Sequence, residues 1–131
     1  MKIKNIFDIA GRAMAAQMVR LNTISSNLAN AGATTGDPET VYKPLKPEFK
    51  TQYSENVKKN GISTVNVSKV VELQKEPFKI FDPNHPLADG DGYIYKAPIN
   101  VEEEMVDMMD ASRQYQNLSL IHISEPTRHR L

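Results

Sequence analysis

Two segments of this sequence space their apolar residues by alternating steps of three and four, and they stand at opposite ends of the chain. The first runs Phe7, Ala10, Met14, Gln17, Leu21, Ile24, Leu28 and Ala31, and only Gln17 breaks its apolar character. That is a heptad seam, the narrow stripe along which one helix packs on another. Residues 5–31 would form a rod of about 40 Å at 1.5 Å per residue. Asn5 offers an N-cap with Asp8 three residues on, and Gly32 offers a C′ stop. A helix so long and so narrowly striped buries too little alone, and requires a partner.

The second segment supplies a candidate. Asn100 is placed to cap a helix with Glu103 at N3, and Glu102, Glu103 and Glu104 suit the positive end of the helix dipole. Val101, Met105, Met108, Ser112 and Tyr115 then repeat the three-and-four spacing. After Gln116 that spacing is lost: NLSLIHISEPTRHRL alternates apolar and polar residues, meets Pro126 and ends in basic residues. The helix expected over 101–116 would be about 24 Å long, shorter than the first. LSLIHISEPTR, residues 118–128, resembles the peptide encoded when a common sequencing adapter is translated, so 117–131 is read as a non-native tail. Setting it aside removes Arg128, Arg130, Glu125, His122 and His129, which leaves a net charge of −1 and one histidine.

Between the helices the chain changes character. From Ala33 to about Asn60 it is poor in apolar residues, and Pro38, Pro44 and Pro47 forbid a continuous helix. The expectation is a long surface loop with a short strand near Phe49 to Tyr53. Gly61 opens a better strand, in which Val65, Val67, Val71 and Leu73 alternate and Lys69 is the exception on their face. A further strand pair is expected at Phe78–Phe81 and Tyr93–Ala97, around a turn-rich loop. The fold class is therefore α+β: a long N-terminal helix and a shorter C-terminal one in a coiled-coil-type pair, with a small β-rich insert between. In residue terms this gives an axial helix over 1–32, an insert over 33–99, a second axial helix over 100–116 and the tail over 117–131.

Composition narrows the function classes. Sixteen basic and sixteen acidic residues cancel, so no net field draws the chain to nucleic acid or an anionic membrane. The absence of cysteine excludes disulfides and thiolate metal sites. Only 7% of residues are aromatic and none is tryptophan, a thin core for a self-sufficient globule of this size. Asp8 and Arg12 interrupt any apolar run at the N-terminus, so export would have to use a route without a cleaved signal.

Few constellations carry chemistry. His85 lies in FDPNHPLADGDGYIY, where Asp82, His85, Asp89 and Asp91 would be the ligands of a small metal-binding module. The spacing matches no zinc signature. The Asp89-Gly90-Asp91-Gly92 run also lacks the alternating ligands and terminal glutamate of a calcium loop, so a turn is the better reading. No serine sits in a nucleophile elbow and no glycine loop cradles phosphate. Met105, Met108 and Met109 have the spacing of packing residues. No enzyme, cofactor or metal is expected.

One stretch remains awkward. TISSNLANAG, residues 23–32, puts two serines and two asparagines inside the first seam, where their side chains compete with the helix backbone. RLNTISSNLANAGATTG at 20–36, which includes Ser26, Asn27, Leu28, Ala29 and Asn30, resembles the Ser-Asn-Leu/Ile-Ala-Asn-Ala motif near the N-terminus of the bacterial flagellar rod and hook axial proteins. DPNHPLADGDGYI at 82–94, with Asp82, Pro83, His85, Pro86, Asp89, Gly92 and Tyr93, resembles a block found in rod proteins of that family, as does EEMVDMMDASRQYQ at 103–116. The resemblance covers residues 3–116. It implies a structural subunit without enzymatic activity, exported by the flagellar type III apparatus and built with other rod proteins into the periplasmic rod that carries torque. It further implies terminal helices assembled as an inner layer, with Phe7, Met14, Leu21, Ile24, Leu28, Val101, Met105, Met108 and Tyr115 as the assembly seam. On this reading the short polar side chains of the awkward stretch allow close approach and lateral hydrogen bonds between subunits.

Overall fold

A computed structural model describes the backbone of residues 2–52 and 64–129 and the side chains of residues 5–50 and 69–121. The first helix, α1, spans Lys2–Ala29, so it starts ahead of Asn5 and that residue is not its cap. It does not end on a left-handed glycine either, because the one positive φ among the described glycines belongs to Gly92. Instead the last turn tightens: Ala31 N–H donates to Leu28 O at 3.3 Å and Ala33 N–H to Asn30 O at 3.2 Å. The Asn30 side chain donates to Ser26 O at 2.8 Å, a carbonyl that also accepts the Asn30 backbone N–H at 3.2 Å, which reinforces the last turn.

The described residues then form the strands β1 Thr34–Thr35, β2 Leu45–Gln52, β3 Thr64–Glu72, β4 Phe78–Phe81 and β5 Tyr93–Lys96. They form two antiparallel sheets, a β2–β3 pair and a three-stranded sheet in the order β1-β5-β4. The β2–β3 register shifts between Glu48, opposite Lys69, and Phe49, opposite Val67, the signature of a bulge. Tyr53 and Gly61, the expected strand ends, lie outside the described residues. The stretch expected to be a plain loop contains β1, which pairs with β5 at Thr34↔Lys96 and Thr35↔Tyr95. It also contains Val41, buried in a small core with Ala97 and Ile99, against which Ala31, Tyr42 and Tyr95 pack. Three prolines exclude helix here without preventing burial.

The second helix, α2, spans Val101–His129. Asn100 caps it as expected: its Oδ1 accepts from Glu102 N–H at 3.1 Å and Glu103 N–H at 3.3 Å. The helix does not stop at Gln116. Met108, Ala111, Tyr115 and Leu118 continue a three-and-four stripe of wholly or partly buried residues, which carries the helical face past Gln116, where the expected helix ended. The α+β class stands, with two terminal helices around small antiparallel sheets.

The two helices pack on each other, and α1 packs also on β2 and β3, while among the described residues α2 packs on no other element. Half of the fully buried apolar residues are alanines, namely Ala10, Ala16, Ala97 and Ala111. Such small side chains let helices approach closely. They also bury little area, so the core is thin.

Candidate assembly interface

The helix pair is held in register by polar contacts. Gln17, the break in the first seam, donates through Nε2 to Gln114 Oε1 at 2.9 Å, and Gln114 in turn donates to Asp110 Oδ2 at 3.0 Å. Arg20, 19% exposed, pairs with Asp107 and, at 3.1 Å, with Asp110. Burial opposes the Arg20 charge, but the hydrogen bonds and fields of Asp107 and Asp110 outweigh it and raise its pKa. These pairings match residue 17 with 114 and residue 20 with 107 and 110, so the helices run antiparallel. A polar layer in an otherwise apolar seam costs some stability and fixes register.

The seam expected on α1 is rotated. Ile24 is buried, but Phe7, Met14, Leu21 and Leu28 are half-buried, while Ala16, Thr23 and Asn27 are fully buried. Two partners on adjoining faces, α2 and the β2–β3 pair, widen the buried stripe beyond one heptad edge. On α2, Met108 and Tyr115 are half-buried towards α1, whereas Val101 and Met105 are exposed. Those two join Val106 (66% exposed) and Met109 (63% exposed) in an apolar face that the chain itself leaves uncovered. Glu102, Glu103, Asp107 and Asp110 surround Val106. On the outer side of α1, Gly11, Ala15, Met18, Asn22, Ser25 and Ala29 are all exposed at three-and-four spacing.

The short polar residues of the awkward stretch are largely spent inside the chain. Asn27, 2% exposed, donates through Nδ2 to Leu45 O at 2.9 Å and accepts from Leu45 N–H at 2.8 Å. Its Oδ1 also accepts from the Tyr42 hydroxyl at 3.0 Å, and its amide hydrogen-bonds the Glu104 carboxylate. Both acceptor sites and at least one donor are thus used. Ser26 Oγ lies 2.9 Å from the Tyr42 hydroxyl. Within this stretch Ser25, Ala29 and Gly32 are exposed. Nothing in the sequence marks Asn27 as buried; its poor fit to a helix interior was the one available signal.

The loop between β4 and β5 is closed by its own residues. Asp89 Oδ1 accepts from Tyr93 N–H at 2.9 Å and Asp91 N–H at 3.0 Å. The Tyr93 amide above all, with Asp91 and the Tyr95 hydroxyl, holds the Asp89 carboxyl below the ordinary carboxylate range. His85 Nδ1 accepts from Leu87 N–H at 3.0 Å, and Asp82 N–H donates to Gly92 O at 2.9 Å. Gly92 has φ 85°, and a Cβ there would meet the Phe81 ring and Pro83 at 3.1 Å. Pro86 is exposed at the loop surface, and Tyr93 packs edge-on against Phe81 at 5.2 Å between ring centroids. Asp89 Oδ1 and His85 Nδ1 are therefore already engaged with backbone amides of the loop itself. Among the described residues no group of three or more side chains that could hold a metal ion converges, and no helix is long and apolar enough to cross a membrane.

Comparison with known proteins points the same way. A family model described as flagella basal body rod protein matches residues 7–36, and one described as the C-terminal region of flagellar basal body rod FlgEFG proteins matches residues 91–119. The chain is similar to the flagellar basal-body rod protein FlgC of Salmonella typhimurium, 41% identical over 116 residues that cover 88% of this chain and 84% of the relative. It is likewise 40% identical over 116 residues to FlgC of Escherichia coli O6:H1, with the same two coverages. FlgC of Aquifex aeolicus is 39% identical over 117 residues, again 88% of this chain and 84% of that protein.

Proposed function

The chain belongs to the FlgC family of flagellar basal-body rod proteins, and from that premise we propose how it is built into the rod. It is a structural subunit of the flagellar basal body, of a kind that assembles with other rod proteins. The terminal helices, residues 1–32 and 100–116, are the axial part, and residues 33–99 form an insert carried at their side. Neighbouring subunits cover the apolar face of Val101, Met105, Val106 and Met109, and the small residues on the outer side of α1 accept a second helix at close range. Burying such a face favours association by about 25 cal/mol per Å², and a face used again in each copy gives an open helical polymer. The uncovered Val106 and Met109 on a helix with one intramolecular partner among the described residues are the observation that carries this reading.

Torque then passes through many static contacts, with no moving part. Export through the flagellar type III apparatus and a place in the periplasmic section of the rod follow from the same premise. Residues 117–131 are read as a non-native tail on their likeness to a translated adapter. The test is Val106→Asp with Met109→Asp in a strain lacking its own copy of the gene. The expected outcome is a secreted, helical protein that builds no rod and restores no swimming. Normal rods and motility would remove this face from the interface.

A further inference from the structure

Among the described residues the three-stranded sheet packs on neither helix, while β2 and β3 pack on α1, so the way the insert meets the helix pair is set where α1 meets β2 and at a small joint just beyond the end of α1. The apolar part of that joint is Val41, Ala97 and Ile99 with Ala31 beside them, and apolar contact alone is non-directional. Its directional part is Asn27. Leu45 pairs with Glu72, and the neighbouring bond from Leu73 N–H to Pro44 O at 2.8 Å leaves the Leu45 N–H and C=O pointing away from β3. The Asn27 amide meets both, at 2.8 and 2.9 Å, as one residue of an adjacent strand would. The same side chain ties the Tyr42 hydroxyl and, on α2, Glu104.

We propose that Asn27 is the positioning residue that sets the angle between the helix pair and the insert, making the Ser-Asn-Leu-Ala-Asn stretch the mechanical joint of the subunit. Its meaning for torque rests on the rod reading, while the joint itself is a property of one chain. A two-point amide fork fixes both the position and the direction of β2 relative to α1, and a side chain of any other length would reach only one of the two groups. The polar stretch thus acts within the subunit, where the sequence alone pointed between subunits.

The chain has no cysteine, so spin labels at Asn22→Cys on α1 and Lys46→Cys on β2, both exposed, report one distance. The full chain should give a narrow distribution. Asn27→Ala should broaden it roughly twofold with helical circular dichroism retained, since the apolar contacts alone permit sliding. Tyr42→Phe, which keeps the fork, should stay narrow. An unchanged width in Asn27→Ala, or equal broadening in Tyr42→Phe, overturns the proposal. Hydrogen exchange on the unaltered chain decides the matter even if Asn27→Ala unfolds. The Leu45 amide should exchange about 10- to 100-fold more slowly than an open edge amide, and exchange at the open-edge rate overturns it. Neither measurement involves assembly, so a failed joint leaves the rod assignment intact, and the Val106 and Met109 test fails or succeeds separately.

Discussion

Gly36 passes so close to Leu87 that a Cβ at residue 36 would fall on the Leu87 carbonyl oxygen. Two of the stretches that resemble rod proteins, one leaving α1 and one joining β4 to β5, therefore meet closely along their backbones. Gly36→Ala must displace that loop and should destabilise the chain by about 1–3 kcal/mol. Gly11 provides the control, because nothing lies within 4 Å of a Cβ there and the residue is exposed within α1. Gly11→Ala should stabilise by about 0.5–1 kcal/mol. Urea unfolding of the two variants should move in opposite directions.

Arg20 and Asp107 form the strongest polar link between the helices, with Asp110 as second partner. The carboxylates are about half exposed, so the coupling from a double-mutant cycle of Arg20→Ala and Asp107→Ala should be about 1 kcal/mol. It should shrink as salt rises, since part of each group faces solvent. A coupling of zero at low salt would mean that Arg20 contributes only its aliphatic stem.

The legibility of this fold from its sequence divides along physical lines. Long periodic segments and strong caps were readable: α1, the start of α2 with its Asn100 cap, and the strands β4 and β5 stand near where spacing placed them, whereas α2 runs on past Gln116 to His129. On α1 the buried stripe is wider than one seam, because Ala16, Thr23 and Asn27 are buried as well as Ala10 and Ile24, and the helix packs on more than one element. The two-residue strand β1 is too short to leave a pattern, and Val41 is one apolar residue among turn formers. The Asn27 joint was invisible because its four bonds go to residues at least fifteen positions away, at Tyr42, Leu45 and Glu104. The apolar face of α2 was legible as a seam, but not that Val101 and Met105 would lie on its uncovered side.

Glu104 gives a pH-dependent prediction. Burial above all raises its pKa from the ordinary 4.5; the hydrogen bond from Asn27 opposes this and the charge of Asp107 adds to it. A carboxyl whose folded pKa is raised binds more protons folded than unfolded, so its contribution is most favourable below the unfolded pKa. It is lost as pH rises through the folded value. Glu104→Gln keeps an acceptor for Asn27 without the charge. It should be more stable than the parent at pH 7, by less than about 1 kcal/mol given the partial exposure. The advantage should vanish towards pH 4, as checked by denaturant midpoints at the two pH values. A larger advantage in acid would reverse the sign and exclude burial as the cause.

Ala111 tests how closely the helices must approach. It is 0% exposed, and among the described residues α2 packs on α1 alone, so a leucine there has nowhere to go without separating the helices. Separation would lengthen the Gln17–Gln114 bond and the Arg20 pairs, adding lost polar contacts to the steric cost. Ala111→Leu should therefore destabilise by about 1–3 kcal/mol, with loss of cooperativity in thermal unfolding. Val106→Leu, on the exposed side of the same helix, should change stability by no more than about 0.5 kcal/mol. If both leucines were neutral in the isolated chain, the close helix pairing would have to arise only in the assembled rod. If only Ala111→Leu destabilises, the pair forms first, and the outer face of α2 remains for the neighbouring subunit.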